Sequence, residues 1–571
     1  MDGNQSLDDF IYDPDTIQFV IRQNEYFERF LSEIPEVKIT QTLSGRYLIG
    51  YINKNYVNIL FDALGGGIIS AFPLVLGLLG RESLEAAGII QVQEQPFLDL
   101  RGSGVLVGIV DTGIDYTNKA FRYEDGTSKI QFLYDQTLRG PHPEGFYVGV
   151  EFTKEQIDLA LQSENPYDIV PSRDTVGHGT FLASIAAGRE DPENTDIIGA
   201  APDAELIVVK LRNAKNYIRD FFLVPPEQEN AFESTSLMIG VEYILKKAQQ
   251  LNRPVAICIG LGTNLGSHDG FTLFEEYLSG VSNISGVCLC LAAGNEVQQR
   301  HHTHGLLTET GDEQIIEIDV GENAGNIFID VLNGASDRIS VGVRSPTGEL
   351  VRRVPAKSGT VHEQRLVLER ASVSISYYFP LEGSGGQITT IRIFNATPGV
   401  WTILVYGDII LDGIYNSWLP LTGFVSPNVG FLTPTPFHTI VVPATAIGVF
   451  ACGAYNSVTN SLYERSSWGP TRLPLMTPDI TAPGVEVSGV YPTGTGTMTG
   501  TSVAAAITAG ACALLLQWGI IEENDPAMST YQARAFIIRG ASRDPGLTYP
   551  NTQWGYGRLN LIQSFNLLRG Q

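Results

Sequence analysis

Three side chains stand in settings that favour nucleophilic chemistry on a carbonyl. Ser502 falls in Gly500-Thr501-Ser502-Val503-Ala504-Ala505-Ala506, where a glycine-flanked turn runs into an apolar helical stretch. A hydroxyl there lies at a helix N-terminus, whose free N–H groups and positive dipole end favour developing negative charge. It becomes a nucleophile only if a base and an orienting acid come from elsewhere in the chain. His178, in Val176-Gly177-His178-Gly179-Thr180, is the base candidate, at the start of the small-residue helical run Phe181 to Gly188. Asp111 ends the apolar run Val105 to Val110 and opens Asp111-Thr112-Gly113-Ile114-Asp115, so it is the acid candidate. Asn295 closes Leu291-Ala292-Ala293-Gly294-Asn295, a strand exit from which an amide N–H₂ can meet an oxyanion. Each has a plainer counterpart when taken alone: a turn aspartate, a core histidine or a loop asparagine. Asp115 itself reads as a turn residue.

The elements that must position these groups change texture along the chain. Residues 1–82 read as a small α+β unit, with strands at Asp15–Ile21 and Tyr47–Tyr51 and a helix at Tyr26–Ile34. From Val105, continuous apolar runs (Val105–Val110, Leu206–Val209, Val255–Ile259) alternate with helical segments such as Ser236–Gln250. That order predicts a parallel sheet with helices on both faces and a site at the strands' C-terminal ends. Past His304 the pattern becomes strict alternation, at Ile316–Val320, Ile339–Val343 and Trp401–Val405, with turns at Pro346-Thr347-Gly348 and Pro398-Gly399. This block, 306–439, reads as an all-β sandwich or jelly roll inserted into one α/β domain made of 83–305 and 440–571.

The 571 residues carry a net charge of −25, which argues against nucleic acid as a partner. Five cysteines sit in apolar runs without metal-ligand spacing and read as buried free thiols. Ile59 to Leu79 is apolar but is broken by Asp62, Pro73 and glycines, so no membrane span is expected. The start, Met1-Asp2-Gly3-Asn4, lacks a secretory layout, and synthesis in the cytoplasm is the expectation. His301-His302-Thr303-His304 is read as a solvated linker rather than a metal site. The patch Glu522 to Asp525 reads as a solvated turn.

Taken together, D-T-G-I-D, G-H-G-T, A-A-G-N and G-T-S-V-A-A-A occur in that order within a suitable α/β texture. The combination resembles the subtilisin-like serine proteases, over about residues 100–305 and 440–571, with Gly199-Ala200-Ala201-Pro202 and Thr481-Ala482-Pro483-Gly484 in further support. The resemblance implies a serine endopeptidase in which Ser502 is the nucleophile, His178 the general base and Asp111 its orienting acid. Asn295 and the Ser502 N–H would form the oxyanion hole. Gly260, Leu261 and Gly262 would pair with substrate as an added strand, and Ala292, Ala293 and Gly294 would line the pocket for the residue before the cut. No cofactor is implied and no metal ligand is assigned. Calcium is common in such folds, and the acidic stretch Glu190 to Asp196 could supply oxygens to a structural ion. Val503, Ala506 and Gly260 stand where methionine, proline and serine are usual; the last is expected to loosen the pocket.

A β block between the oxyanion asparagine and the nucleophile, with an α+β unit in front, is similar to the Csp germination proteases of clostridial spores. Gly262-Thr263-Asn264, His268-Asp269-Gly270 and Phe437-His438-Thr439-Ile440 with Pro443-Ala444-Thr445-Ala446 add to that likeness. It implies that residues 1–82 are a prodomain, a chaperone cut off by the enzyme itself between Leu79 and Gln95, near Glu82–Ser83, and then retained over the cleft. It also implies a cortex-lytic zymogen as protein substrate and packaging in the spore. The alternatives it leaves open are a broad-specificity intracellular protease and a catalytically silent germination sensor or scaffold.

Overall fold

The computed structural model describes residues 7–24, 28–29, 31, 34–64, 71–78, 85–93, 95, 98, 100–190 and 198–569. Most of the helix expected at Tyr26–Ile34 and the bond Glu82–Ser83 lie outside them.

After a short helix, Leu7–Tyr12, come three antiparallel strands: β1 (Thr16–Arg22), β2 (Val37–Leu43) and β3 (Tyr47–Asn53), in the order β1-β3-β2. A separate strand, β4 (Val75–Leu78), leaves this unit and joins the next. The central layer is an eight-stranded sheet. Its strands are β5 (Leu106–Asp111), β6 (Ile130–Asp135), β7 (Val150–Thr153), β8 (Glu205–Lys210), β10 (Val255–Ile259), β12 (Val287–Ala292), β13 (Phe450–Tyr455) and β14 (Ile480–Pro483). Two short strands outside it, β9 (Phe232–Glu233) and β11 (Leu261–Gly262), flank β4. The sheet order is β14-β13-β12-β10-β5-β8-β6-β7. All its pairs are parallel except the edge pair β6–β7. Every residue of β5, β10, β12 and β13 is buried, as expected of strands covered on both faces.

The helices that matter to the site are α1 (His178–Ala187), α2 (Ser234–Leu251) and α3 (Thr501–Leu516). Both α1 and α3 are buried along their whole length. Small residues let them meet closely: a Cβ on Gly510 of α3 would stand 2.3 Å from Ala200 Cβ and 2.8 Å from Ala186 O. Among the described residues, Thr501–Ile521 alone is long and apolar enough to cross a membrane, and 83% of an 18-residue window within it is buried inside the fold. It is the core helix of the α/β layer.

Between β12 and β13 the chain builds two antiparallel sheets. One runs His302–Leu306, Ile414–Trp418, Ile327–Asn333, Gln387–Phe394, Ser372–Tyr378, Val361–Arg365. The other runs Leu350–Val354, Arg338–Arg344, Gly399–Ile409, Glu313–Val320, Val429–Phe431. Their inner faces enclose a separate apolar core around Ile329, Val341, Ile391 and Trp401.

The reading of His301–His304 as a solvated linker is corrected here. His302–Leu306 is a strand of the insert, paired with Ile414–Trp418, and His301 and His302 are buried. His301 Nδ1 lies 2.8 Å from Glu296 Oε2, and His302 Nε2 lies 3.0 Å from Asn416 Oδ1. Burial raises the Glu296 carboxyl, but His301, Thr422 and Asn264 outweigh that and hold it below the usual carboxylate range. The Trp418 indole stacks on His268 at 4.2 Å and 3°, closing the seam between insert and α/β layer. All five cysteines are free and buried.

Candidate active site

Asp111 is the last residue of β5, and His178 is the first of α1. Gly177 precedes the helix at φ +88°, a left-handed turn that a side chain would strain, and it aims the imidazole back at β5. Asp174 secures that turn. Its Oδ1 accepts from Val176 N (3.1 Å) and Gly177 N (2.8 Å), and its Oδ2 accepts from Thr180 N (2.9 Å) and Thr180 Oγ1 (2.7 Å). Thr112 Oγ1 accepts from Gly179 N at 2.9 Å, locking the β5 exit to the helix start. Asp115 serves its turn, accepting from Thr117 N and Oγ1 at 3.0 and 2.6 Å.

Ser502 is the second residue of α3, after Gly500 at φ +146°. Across 324 residues of sequence, His178 Nε2 lies 3.3 Å from Ser502 Oγ, while His178 Nδ1 lies 2.8 Å from Asp111 Oδ1. Asp111 Oδ1 also accepts from Thr112 N at 2.8 Å. All three residues are buried. The alcohol, imidazole and carboxylate are thus in line, so that a proton leaving Oγ has an acceptor whose other nitrogen is already held by an anion.

Asn295 follows Gly294, which turns at φ +111°. Its Oδ1 accepts from Thr501 N at 3.1 Å and lies 3.3 Å from Thr501 Oγ1. With the oxygen so fixed, the Nδ2 hydrogens and the Ser502 N–H remain as donors at the helix start. Thr501 Oγ1 also accepts from Gly294 N at 3.0 Å. Ala292, Ala293 and Gly294 are buried at the β12 exit, and Gly262 and Gly294 meet over one side chain: added Cβ atoms would stand 2.3 and 2.6 Å from the Val441 methyl groups.

Gly260 is tighter than expected. A Cβ there would stand 2.6 Å from Leu182 Cδ1, 2.9 Å from Ser502 Cβ and 3.1 Å from His178 Cε1. The glycine lets the β10–β11 connection approach the triad, so the departure from serine tightens the site rather than loosening it.

Leu261 and Gly262 pair with a strand of the chain itself: β4, antiparallel, with Leu78 opposite Leu261 and Gly77 opposite Gly262. On its other side β4 pairs with β9, with Val75 opposite Glu233 and Leu76 opposite Phe232. Sequence reasoning missed β9, Asp174 and Thr501. A two-residue strand has no periodicity to read, and positioning residues carry no signature beyond ordinary polar types. Among the described residues no group of three or more His, Cys, Asp or Glu is arranged to hold a metal ion. Residues 191–197, most of the acidic stretch considered for calcium, lie outside those described.

A parallel α/β sheet carrying Asp, His and Ser at strand end, helix start and helix start, in that order, has the architecture of the subtilisin-like class. The chain belongs to the Subtilase family (peptidase S8), which it matches over residues 102–306 and 432–557. It is similar to the CspB protease of Clostridium perfringens, at 32% identity and a TM-score of 0.75, covering 85% of this chain and 99% of that structure. It is also 24% identical over 477 residues to the PII-type proteinase of Lacticaseibacillus paracasei and 23% identical over 491 residues to the PI-type proteinase of Lactococcus lactis subsp. cremoris. Those matches take in 76% of this chain and 23% of the length of either relative.

Proposed function

We propose that this chain cuts peptide bonds through an acyl-enzyme on Ser502. Oγ attacks the scissile carbonyl carbon as His178 Nε2 takes its proton, and Asp111 holds the imidazolium. The oxyanion is met by Asn295 Nδ2 and Ser502 N. Collapse breaks the C–N bond, the amine leaves with the proton from Nε2, and water repeats the sequence to free the acid. The observation that carries this reading is the pair of contacts at 3.3 and 2.8 Å through one imidazole.

Residues 1–82 act on this reading as a prodomain and the enzyme's first substrate. In support, β4 enters the cleft between β9 and β11 and ends opposite Leu261, next to Gly260, which lies against Ser502. On this reading the cut falls after Leu78 and by residue 95; Glu82–Ser83 is in that window. After the cut the strand remains as a product at high effective concentration. The protein substrate is a zymogen of a spore-cortex hydrolase, activated by limited proteolysis in the spore; likeness to the CspB protease supports it.

Expression of the wild type beside Ser502→Ala tests the chemistry. The wild type should give two associated fragments and label with a fluorophosphonate, and the variant one intact 62.1 kDa chain without label. Intact, unlabelled wild type would favour a silent scaffold. Digestion of unfolded casein with a folded cortex-hydrolase precursor left untouched would favour broad degradation.

A further inference from the structure

The strand-like path of the N-terminal segment does not begin at β4. Upstream, Leu74 N donates to Ser234 Oγ and Leu74 O accepts from Ser234 N, both at 2.9 Å, so the ladder extends onto the first residue of α2. Pro73 comes before that, with a fixed φ that suits extended chain. Phe72 then turns into a socket of aromatic rings. Its ring stands edge-on to Phe221 (5.5 Å, 78°) and to Tyr217 (6.3 Å, 75°), both on the helix Asn216–Phe221, and to Phe61 of the N-terminal unit itself (5.6 Å, 79°), and it is 2% exposed. The β insert backs this socket: the Arg392 guanidinium lies 5.4 Å over the Phe221 ring, and Phe328 packs on Phe222 at 5.4 Å. Next to it a cavity of about 40 Å³ lies among Phe72, Leu74, Phe222, Phe271 and Ile388. Apart from Phe61, Phe72, Leu74 and Val20, which also lines the cavity, these groups belong to the α/β layer or the insert and not to the N-terminal unit.

We propose that Tyr217 and Phe221, backed by Arg392 and Phe328, form a remote specificity subsite. It takes an aromatic side chain of a protein substrate, six residues before the position of Leu78. This rests on reading β4 as a substrate-like strand. It gives the insert a part in substrate selection, as one wall of a cleft far longer than the four residues of β4. Edge-on aromatic contacts in a desolvated socket favour Phe, Tyr or Trp over aliphatic residues. The guanidinium over Phe221 polarises the wall that the incoming ring meets.

Two fluorogenic peptides test it, each spanning residues 70–88 of this sequence, one with the natural phenylalanine and one carrying Phe72→Ala. With the full wild-type chain, kcat/KM should favour the phenylalanine peptide by about tenfold or more. In Phe221→Ala the ratio should fall to within about twofold of unity, with Arg392→Ala between the two. Retained N-terminal fragment lowers both rates alike and leaves the ratio unchanged. A ratio near unity in the wild type, or an undiminished ratio in Phe221→Ala that still labels with fluorophosphonate, overturns the subsite. If the wild type neither labels nor cuts, the proteolytic reading has failed. The same ratios are then read as Kd by fluorescence anisotropy, where the tenfold preference and its loss are again required.

Discussion

The N-terminal unit and the β insert both lean on the α/β layer, and they do so by opposite means. Ile17, Phe19, Ile49 and Tyr51 of the first unit belong to the same continuous apolar core as the central sheet, so this unit has little interior of its own. It is fastened by polar contacts across long sequence distances. Glu242 on α2 accepts from Ser44 N (3.2 Å), Ser44 Oγ (2.9 Å) and Tyr277 OH (3.0 Å). Lys215 donates to Ile11 O and Asp13 O at 2.6 Å each, and Arg22 pairs with Glu276. The insert instead owns a core, with Trp401, Ile329 and Val341 fully enclosed by its two sheets, and meets the rest at Trp418 on His268, at Phe328 on Phe222 and at Arg392 over Phe221. A unit that shares the central core, with hydrogen bonds across the join, suits staying docked after its separation from the chain by one cut. One with its own core suits a permanent wall.

The largest expected effect comes from stopping that separation chemically. Asn295→Ala removes one oxyanion donor and should slow self-cleavage and peptide turnover by about 10²–10³-fold. Gel analysis over time should show the N-terminal unit still attached; unchanged rates would exclude Asn295 from the mechanism. Next, Trp418→Ala removes one ring from the seam and should cost about 3–5 kcal/mol. Because the insert keeps its own core, calorimetry should resolve two transitions, and a single cooperative loss would break the contrast. Glu242→Ala strips three donors of their acceptor and should weaken docking of the N-terminal unit by about 1–3 kcal/mol. In fragment-release measurements after self-cleavage the unit should leave faster, while the insert's melting stays put.

The smallest effect concerns Asp330, on the insert strand that faces the cavity beside Phe72. Burial pushes its carboxyl up to about 7, against one favourable hydrogen bond from Thr390 Oγ1 at 2.7 Å. Between the ordinary aspartate range and about pH 7 the folded chain keeps a proton that the unfolded chain has lost. Stability therefore falls as pH rises through that window. Asp330→Asn should flatten this slope and raise Tm at pH 8 by a few degrees, read by thermal scans across pH.

Much of this was legible in the sequence, and the exceptions share a cause. Val105–Val110 and Val255–Ile259 announce buried parallel strands because both faces are apolar, and Ile339–Val343 announces a sandwich strand by its period of two. The histidine tract misled because a run of imidazoles looks solvated until Glu296 and Asn416 are known to face it. The tightness at Gly260 was equally hidden, since nothing local tells how near Leu182 and Ser502 come.

By itself the sequence determined the chemical groups, their order along the chain and the type of element carrying each, because capping glycines, apolar runs and alternation act over a few residues. The tertiary structure alone decided which strand fills the cleft and which rings of the α/β layer surround Phe72. Those choices join segments more than a hundred residues apart, as with β4 and β9. They follow from shape and hydrogen-bond matching between surfaces that exist only once the central sheet has formed.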